Sequence, residues 1–460
     1  MAILPDGGLP GEILQIMVQR LLDCPPTERE TNNRGEITMN ESDYPLSEVP
    51  KSARQGLLPM AAVLLGFTFF TATMWAGGTL GKAFSFSELL LVIVVGNLLL
   101  GAYTSALAYI AYKSGLNSVL MGRFCFGELG SKLSDFILGF TQIGWYAWGT
   151  ATIAIVLVKT TGISQSWEIP LMILFGFAFC ITAMIGFRGL DLLSRVAVPA
   201  MLLFILISLY TGMVDVGGVS ALFGIEASGS MSFAAAITVV IGTFISGGTQ
   251  ATNWSRFASS GKVAVWATLA AFFIGNGLMV LTGALGTLIY QQADIVDVML
   301  AQGFVVLAVL MLFLNIWTTQ DNTIYNFAVA GCNLLRTDKR RTVTVAGAAI
   351  GTVLAVFGMY NFLIPFLILL GTFIPPIGGV IMADFWLRHK GQYPKLAETE
   401  LPAFNWLGLG AYAVASACAY FSPLLPPVVG VVVAFVLYGL LIKLPAGAAA
   451  GSVASATDNG

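Results

Sequence analysis

The densest group of polar side chains in this sequence lies inside an apolar stretch close to residue 318. Asn315, Thr318, Thr319 and Asn322 follow the spacing i, i+3, i+4, i+7, so a helix places all four on one face. Hydroxyl and carbonyl oxygens are hard ligands that suit a hard cation. The pattern therefore predicts a sodium site formed by the hydroxyls of Thr318 and Thr319 with backbone carbonyls of another, interrupted helix. The alternative is that each hydroxyl is bonded to the backbone of its own helix.

Gln320 and Asp321 lie beside this face. A carboxylate at the centre of a bilayer costs about 2.5–3.5 kcal/mol on insertion scales, so it is expected to face protein or water. Asp321 has two interpretations. It is either a partner for a cation or a proton, or a structural group that is hydrogen-bonded to its neighbours.

Two other apolar stretches have small and polar residues at their centres: GFTFFT at 66–71 and GTFISGGT at 242–249. Glycine permits backbone conformations that other residues resist. Both stretches fall halfway through their spans, and they are five spans apart. The pattern therefore predicts two unwound helices in corresponding positions of two inverted five-helix halves, as in many secondary transporters. Close helix packing through Gly, Ser and Thr is the alternative.

A pair of aromatic residues completes a candidate binding site. Trp145 and Phe244 are placed to sandwich a flat ring, and each stacking contact is worth about 1–3 kcal/mol. Gln142 and Gln320 each offer a donor and an acceptor, and Ser246 adds a hydroxyl. Because no unpaired positive charge falls at mid-depth, the site favours a neutral, planar, amide-like solute. Ordinary packing is the alternative for Trp145.

The elements that hold these groups must be membrane spans. Of 460 residues, 57% are hydrophobic and 10% are charged, against about 25% charged in a globular domain. The 22 Lys and Arg nearly balance the 24 Asp and Glu, which excludes a nucleic-acid binder with a broad basic face. His389 is the only histidine, and the five cysteines form no CxxC pair. A membrane-embedded enzyme, a metal centre and a disulfide framework are therefore disfavoured.

A transmembrane helix needs about 20 apolar residues, and the sequence contains twelve such candidates. With the N-terminus inside, 20 Lys and Arg fall in inner segments and two, Lys82 and Lys159, in outer segments. Cytoplasmic loops prefer positive charge, so this asymmetry predicts that both termini are cytoplasmic. The predicted spans are 57–82, 86–112, 134–158, 168–187, 192–214, 231–254, 262–290, 302–327, 342–360, 362–386, 404–422 and 425–443.

The two ends of the chain differ from this membrane domain, which is expected to cover 51–443. Residues 1–50 hold nine of the 24 acids, which predicts a disordered cytoplasmic tail. Met39 is an alternative start, in which case residues 1–38 are a wrongly assigned extension. Residues 444–460 are of low complexity, which predicts a flexible C-terminal tail.

Seven stretches in and between the predicted spans resemble the nucleobase:cation symporter-1 family, the purine and cytosine permeases. The resemblance extends over about 51–443 and implies a LeuT-type fold, with two inverted five-helix repeats and two C-terminal helices. It also implies cation-coupled uptake by alternating access. We expect a monomeric importer in the inner membrane, with no cofactor besides the coupling ion. The stretches are LLGFTFFTATMWAGGTLG (64–81), GNLLLGAYTSALAYI (96–110), GFTQIGWYAWG (139–149), GTFISGGTQATNWSRF (242–257), ADIVDVMLAQG (293–303), LNIWTTQDNTIY (314–325) and IPPIGGVIMADF (374–385).

The resemblance also assigns roles to residues. It implies that a base stacks between Trp145 and Phe244, with Gln142 as the family glutamine and Ser246 as the family serine. It implies that sodium is held by the carbonyls of Gly66, Phe69 and Asn315 and by the hydroxyls of Thr318 and Thr319. The full set expected to bind substrate is Phe70, Gln142, Trp145, Thr243, Phe244, Ser246 and Gln320.

Two positions depart from the family pattern. The chain has Thr243 where bacterial members read Ser in Ser-Phe-Ile-Ser, and Gln320 where they read Asn in Thr-Thr-Asn-Asp-Asn. Sites that hydrogen-bond a ring can reject mismatched analogues strongly. We therefore expect sodium-coupled uptake of cytosine or a closely related nucleobase. Alternatives are proton coupling through Asp321, another pyrimidine such as hydroxymethylpyrimidine, a purine, and an amino-acid carrier on the same fold.

Overall fold

The first predicted span is interrupted at its centre, and the remaining spans assemble around the interruption. The structure is a computed structural model that describes residues 44–443. The described residues form helices, and one isolated β-bridge among them joins Gln55 to Ala258. Of the predicted tails at 1–50 and 444–460, residues 1–43 and 444–460 lie outside the described residues.

Each of the twelve predicted spans corresponds to a helix or a run of consecutive helices. Nine of them are long and apolar enough to cross a membrane, counting the bent first pair as one span. The other three, α9, α11 and α12, have 16 or 17 residues. The spans are α1 (Leu57–Thr68 and Thr71–Ala83), α2 (Phe86–Ser114), α3 (Ser131–Thr161), α4 (Glu168–Ala178 and Cys180–Ile185), α5 (Phe187–Asp215), α6 (Phe233–Gln250 and Thr252–Ser255), α7 (Gly261–Leu269, Ala270–Gly275 and Asn276–Tyr290), α8 (Val305–Leu335), α9 (Arg340–Val356), α10 (Leu363–Phe373, Pro375–Ala383 and Asp384–Arg388), α11 (Trp406–Phe421) and α12 (Pro426–Leu441).

The predicted bounds agree to within a few residues except at the end of α8. That helix continues to Leu335, whereas the prediction ended at 327. Residues 328–332 (AVAGC) are still apolar and the first charged residue after them is Arg336, so the prediction ended the span too early. Three short α-helices between spans, Ser118–Phe126, Val219–Leu222 and Ile295–Ala301, were not predicted.

The prediction of an unwound first span is confirmed. The helix stops at Thr68 and restarts at Thr71, with a bend of 56°. Phe69 and Phe70 have non-helical backbone angles, and Phe70 is fully extended at φ −136°, ψ 130°. The glycine that suggested the break is not at the break. Gly66 is helical, and a Cβ there would lie 2.6 Å from the Ser194 hydroxyl of α5.

The prediction of an unwound sixth span is wrong. The helix of α6 runs without interruption from Phe233 to Gln250. Its glycines serve close packing: a Cβ on Gly242 would lie 2.6 Å from the Leu367 carbonyl, and one on Gly247 would lie 2.6 Å from the Phe67 ring. Small residues let neighbouring helices approach closely in membranes. The glycine content of a span therefore does not distinguish a closely packed helix from a broken one.

Two sets of close helix contacts position the centre of the molecule. The second half of α1 packs on α7, where Gly77 lies against the Val280 carbonyl and Gly283 against the Met74 carbonyl. On the other side, α8 packs along α3. The break in α1 lies between the α1–α7 contacts and the α3–α8 contacts. At the break, the Thr71 N–H donates to the Asn315 side chain of α8 at 2.9 Å.

The residues just before α1 are packed against the end of the bundle that carries most Lys and Arg. Val49 is buried and its N–H donates to the Gly115 carbonyl. Gln55 exchanges backbone hydrogen bonds with Phe257 and Ser259 after α6. Within the predicted tail at 1–50, apolar and backbone contacts therefore hold the chain at Val49.

Candidate functional site

A small enclosed cavity lies where the α1 break faces α3, α6 and α8. Its volume is about 10 Å³, roughly the space taken by one water-sized probe. A flat ring can therefore enter only if the lining side chains or helices separate. The cavity is lined by Phe67, Phe70, Trp145, Thr243, Phe244, Gly247, Thr319 and Thr323.

Aromatic rings from three helices form most of this lining. The Phe70 ring meets Trp145 edge-on with centroids 5.7 Å apart, and Phe67 meets Phe244 edge-on at 5.1 Å. The Trp145 indole N–H donates to the Ser246 hydroxyl at 3.3 Å, which fixes the ring orientation. Trp145 and Phe244 thus face one cavity, as predicted.

Gln142 is the polar group of this region with the most unused bonding capacity. It lies one turn from Trp145 on α3 and is fully buried. Neither its amide oxygen nor its amide nitrogen has a hydrogen-bond partner among the described residues. Leaving such a group buried and unpaired costs about 1–3 kcal/mol per atom. A ligand with a complementary donor and acceptor would remove that cost.

Thr243 lines the cavity but its hydroxyl is already engaged. It donates to the Val240 carbonyl at 2.7 Å and accepts from Asn276 of α7 at 3.0 Å. Asn276 in turn donates to Asn97 of α2 at 2.8 Å. Sequence reasoning missed this buried pair of asparagines. The signal was present, since each is an isolated amide inside an apolar span.

The predicted cation ligands lie beside the cavity. The Thr319 hydroxyl lies 3.2 Å from the Phe69 carbonyl, 3.4 Å from the Phe67 carbonyl and 3.1 Å from the Asn315 carbonyl. The break in α1 therefore brings two carbonyls to one hydroxyl of α8. These oxygens form the type of donor set that suits a hard cation.

Two other predicted ligands are placed less centrally. The Thr318 hydroxyl donates to its own helix, to the Leu314 carbonyl at 2.8 Å, with the Asn315 carbonyl at 3.3 Å. Gly66 packs against Ser194, and Phe67 is the residue of that turn whose carbonyl reaches Thr319.

Gln320 is not part of the cavity lining. Its amide nitrogen donates to the Tyr146 carbonyl at 2.6 Å and to the Thr150 hydroxyl at 3.3 Å, both on α3. Its side chain lies against Gly149, where a Cβ would be 2.5 Å from the amide oxygen. Here the extra methylene of Gln serves to reach the neighbouring helix. Hydropathy and helical spacing cannot distinguish that use from a ligand contact.

Asp321 faces α4 and not the cavity. Its carboxylate accepts from the Thr182 hydroxyl at 3.1 Å and from the Asn322 amide at 3.2 Å. The Trp317 indole N–H donates to the same Thr182 hydroxyl at 3.2 Å. The structure thus has Asp321 hydrogen-bonded to its neighbours.

A second, larger cavity lies between α3 and the start of α10. Its volume is about 180 Å³. Phe366 of α10 lines it and also meets Trp145 edge-on, with centroids 5.3 Å apart. Phe366 therefore stands between the larger cavity and the small enclosed one. The larger cavity is lined by Gly144, Trp148, Met359, Phe362, Leu363, Pro365, Phe366 and Leu369.

Comparison with known proteins gives this fold and site a context. Residues 48–452 match the family described as permease for cytosine/purines, uracil, thiamine, allantoin. The chain is 39% identical to the cytosine permease of Escherichia coli K12, over 84% of this chain and 91% of that permease. It is 24% identical to the hydantoin permease of Microbacterium maritypicum, over 87% of this chain and 88% of that one.

The solved structures that it matches share its fold. Mhp1, a nucleobase-cation-symport-1 family transporter in a closed conformation with bromovinylhydantoin bound, matches with a TM-score of 0.79 at 18% identity, over 88% of this chain and 95% of that one. A sodium-coupled sialic acid symporter matches with a TM-score of 0.64 at 13% identity, over 86% of this chain and 91% of that one.

The chain belongs to the permease family for cytosine, purines and related compounds. It is a multi-pass membrane transporter and not an enzyme. The expectation of a LeuT-type fold is confirmed.

The packing of Gln320 generates a prediction. Replacing Gln320 by Ala removes the bond to the Tyr146 carbonyl and leaves a gap beside Gly149. We expect a loss of about 1–3 kcal/mol of stability, read as a lower thermal unfolding temperature of the purified protein in detergent. The exposed Gln392→Ala variant is the control. Equal unfolding temperatures for the two variants would contradict a packing role.

Proposed function

We propose that this protein is a secondary active importer of cytosine or a closely related nucleobase, coupled to sodium, that works by alternating access. The observation that carries the proposal is one junction: an aromatic cavity shares Thr319 with two carbonyls of the α1 break. A ring in the cavity and a cation at the break would then act on the same residue.

The chemistry of the cavity supports a neutral aromatic solute. Rings of Phe70, Trp145 and Phe244 offer stacking surfaces, each worth about 1–3 kcal/mol per base. Gln142 lies one turn from Trp145 but outside the cavity lining, and its amide nitrogen and oxygen are otherwise unused. The residues that line the cavity include no Lys, Arg, Asp or Glu. A substrate carboxylate, as in an amino acid, would find no counter-charge there.

The geometry of the break supports sodium as the coupling ion. Sodium held by the carbonyls of Phe67 and Phe69 and the hydroxyl of Thr319 would join the α1 break to α8. An ion that binds one conformation better than another shifts the population toward it. If that conformation also binds the ring better, each ligand raises the affinity of the other.

The proposed orientation in the membrane follows from the charge asymmetry. The end of the bundle with most Lys and Arg is assigned to the cytoplasm by the preference of inner loops for positive charge. At that end, backbone hydrogen bonds between Gln55 and residues 257–259 join the start of α1 to the end of α6. We infer that both termini are cytoplasmic, and that the protein acts as a monomer in the cytoplasmic membrane.

The second candidate is coupling to protons, with another pyrimidine or a purine as substrate. Asp321 is a buried carboxylate on the helix that carries Thr319, so it is the group through which a proton would act. Its bonds to Thr182 and Asn322 favour a structural role. The family description also names uracil, thiamine and allantoin. Competition by unlabelled compounds must therefore decide which ring the protein carries.

Uptake of radiolabelled cytosine into proteoliposomes tests the proposal directly. Sodium and pH gradients are imposed separately. We expect the sodium gradient alone to drive uptake, and unlabelled nucleobases, but not amino acids, to compete. Uptake under a pH gradient without sodium would support the second candidate. Absence of uptake under both gradients would exclude cytosine as the substrate.

Thr319 and Thr318 are expected to differ. Thr319→Val keeps the side-chain shape but removes the hydroxyl that contacts both α1 carbonyls, so the sodium concentration for half-maximal uptake should rise by about tenfold or more. Thr318→Val should have a smaller effect, since that hydroxyl is bonded within its helix. Thr282→Val, which removes a similar intrahelical bond on α7, is the control. Unchanged sodium dependence in Thr319→Val would contradict the cation site.

A further inference from the structure

Below the enclosed cavity, three helix faces continue toward the end of the bundle that is rich in Lys and Arg. On α6 the face carries Ser246, Gln250 and Asn253, at the spacing i, i+4, i+7. On α8 it carries Thr319, Thr323 and Asn326, at the same spacing. On α3 the residues Trp145, Gln142 and Leu138 run in the same direction. Such spacings place each set on one helix face.

Hydrogen bonds join these faces at three successive levels. At the cavity, Trp145 donates to Ser246. One turn further, the Gln250 amide donates to the Leu138 carbonyl at 2.8 Å. Another turn further, the Asn253 amide donates to Asn326 at 2.7 Å, which joins α6 to α8.

The lower two levels use only part of their bonding capacity. Gln250, Asn253 and Asn326 are each at most 1% exposed. The amide oxygens of Gln250 and Asn253 and the amide nitrogen of Asn326 have no partner among the described residues. Gln142, just above them, has two more unpaired atoms. Each unpaired buried atom raises the free energy of the closed arrangement, because it has lost water and gained nothing in return.

We propose that Gln250, Asn253 and Asn326 form an amide latch that closes the substrate path at this end, and that the same amides line that path when it opens. When α6 and α8 separate, all of their polar atoms become available to water and to a passing solute. A neutral ring with amide-type donors and acceptors would find at each level an amide group of the kind that Gln142 offers beside the cavity. This inference rests on the proposed function for the identity of the solute, but the latch itself does not.

The latch predicts that single and double variants shift the balance between the closed and open states in opposite directions. Asn326→Ala breaks the Asn253–Asn326 bond and leaves Asn253 buried with no partner, so the closed state loses stability. Asn253→Ala acts in the same way on Asn326. The double variant Asn253→Leu with Asn326→Leu removes both polar groups from the closed state and exposes two leucines to water in the open state. Replacing both partners by apolar groups is close to neutral for the closed form, so the double variant favours closure.

The rate at which a buried cysteine is alkylated measures the balance between the closed and open states. A Leu138→Cys reporter keeps the backbone carbonyl that Gln250 uses, and it is placed in a background where Cys24, Cys125, Cys180, Cys332 and Cys418 are replaced by Ala. Inside-out vesicles in sodium-free medium are treated with a membrane-impermeant maleimide. Relative to the reporter parent, each single Ala variant should raise the alkylation rate on the order of fivefold, and the double Leu variant should lower it.

Thr344→Val, which removes an intrahelical bond on α9, should match the parent. Equal rates in all variants, or a shift in the same direction for the single and double variants, would overturn the latch. A purely structural role for the asparagines would not produce opposite signs. The assay contains no cytosine and no gradient. If sodium drives no cytosine uptake but the alkylation rates follow the expected order, the proposed substrate is rejected and the latch stands. If sodium drives cytosine uptake but the alkylation rates do not follow that order, the latch is rejected and the proposed substrate stands.

Discussion

The interruption of α1 at Phe69 and Phe70 is the feature on which the rest of the centre depends. Inside a bilayer, backbone groups that leave a helix must find partners in the protein or line a cavity. Here the Thr71 N–H finds the Asn315 side chain, and the carbonyls of Phe67 and Phe69 lie against the Thr319 hydroxyl. The same interruption brings Phe70 to Trp145. A single break therefore supplies an aromatic wall to the cavity and oxygen ligands to its edge.

Helical spacing predicted which side chains share a face, and hydropathy predicted the number and order of the spans. Both depend on a short-range period that is written in the sequence, so the polar face of α8 that carries Thr319 was accessible. The sequence did not show which glycines break a helix and which let helices approach. Gly66 and Gly242 lie in the two stretches that were predicted to unwind, but both are helical and pack against neighbouring helices. The break in α1 falls directly after Thr68, at two phenylalanines and no glycine.

The direction of a polar side chain was equally hard to predict. Gln320 and Asp321 lie in the same polar cluster as Thr319, but one reaches α3 and the other reaches α4. Neighbouring positions on a helix point about 100° apart, so their partners depend on which helices surround α8. That information belongs to the tertiary fold. The Asn97–Asn276 pair was missed for the same reason, because each residue is isolated in its own span.

Several buried amides that lack a partner for at least one atom, among them Gln142, Gln250 and Asn253, lie between the cavity and the end of the bundle that is rich in Lys and Arg. A protein at rest gains nothing from unpaired polar atoms at Gln142, Gln250 and Asn253. A transporter that must expose the same surfaces to water in another conformation uses them there. Under the proposed alternating-access mechanism, these unpaired atoms would raise the free energy of the closed arrangement toward that of an open one.

The central claim is that the cavity and the α1 break act through Thr319 as one coupled unit. Equilibrium binding of radiolabelled cytosine to the purified protein in lipid nanodiscs, measured over a series of sodium concentrations, tests it most directly. The account predicts that sodium lowers the Kd for cytosine, and that cytosine lowers the Kd for sodium by the same factor, since coupling between two sites is reciprocal. A cytosine Kd that is independent of sodium would contradict it.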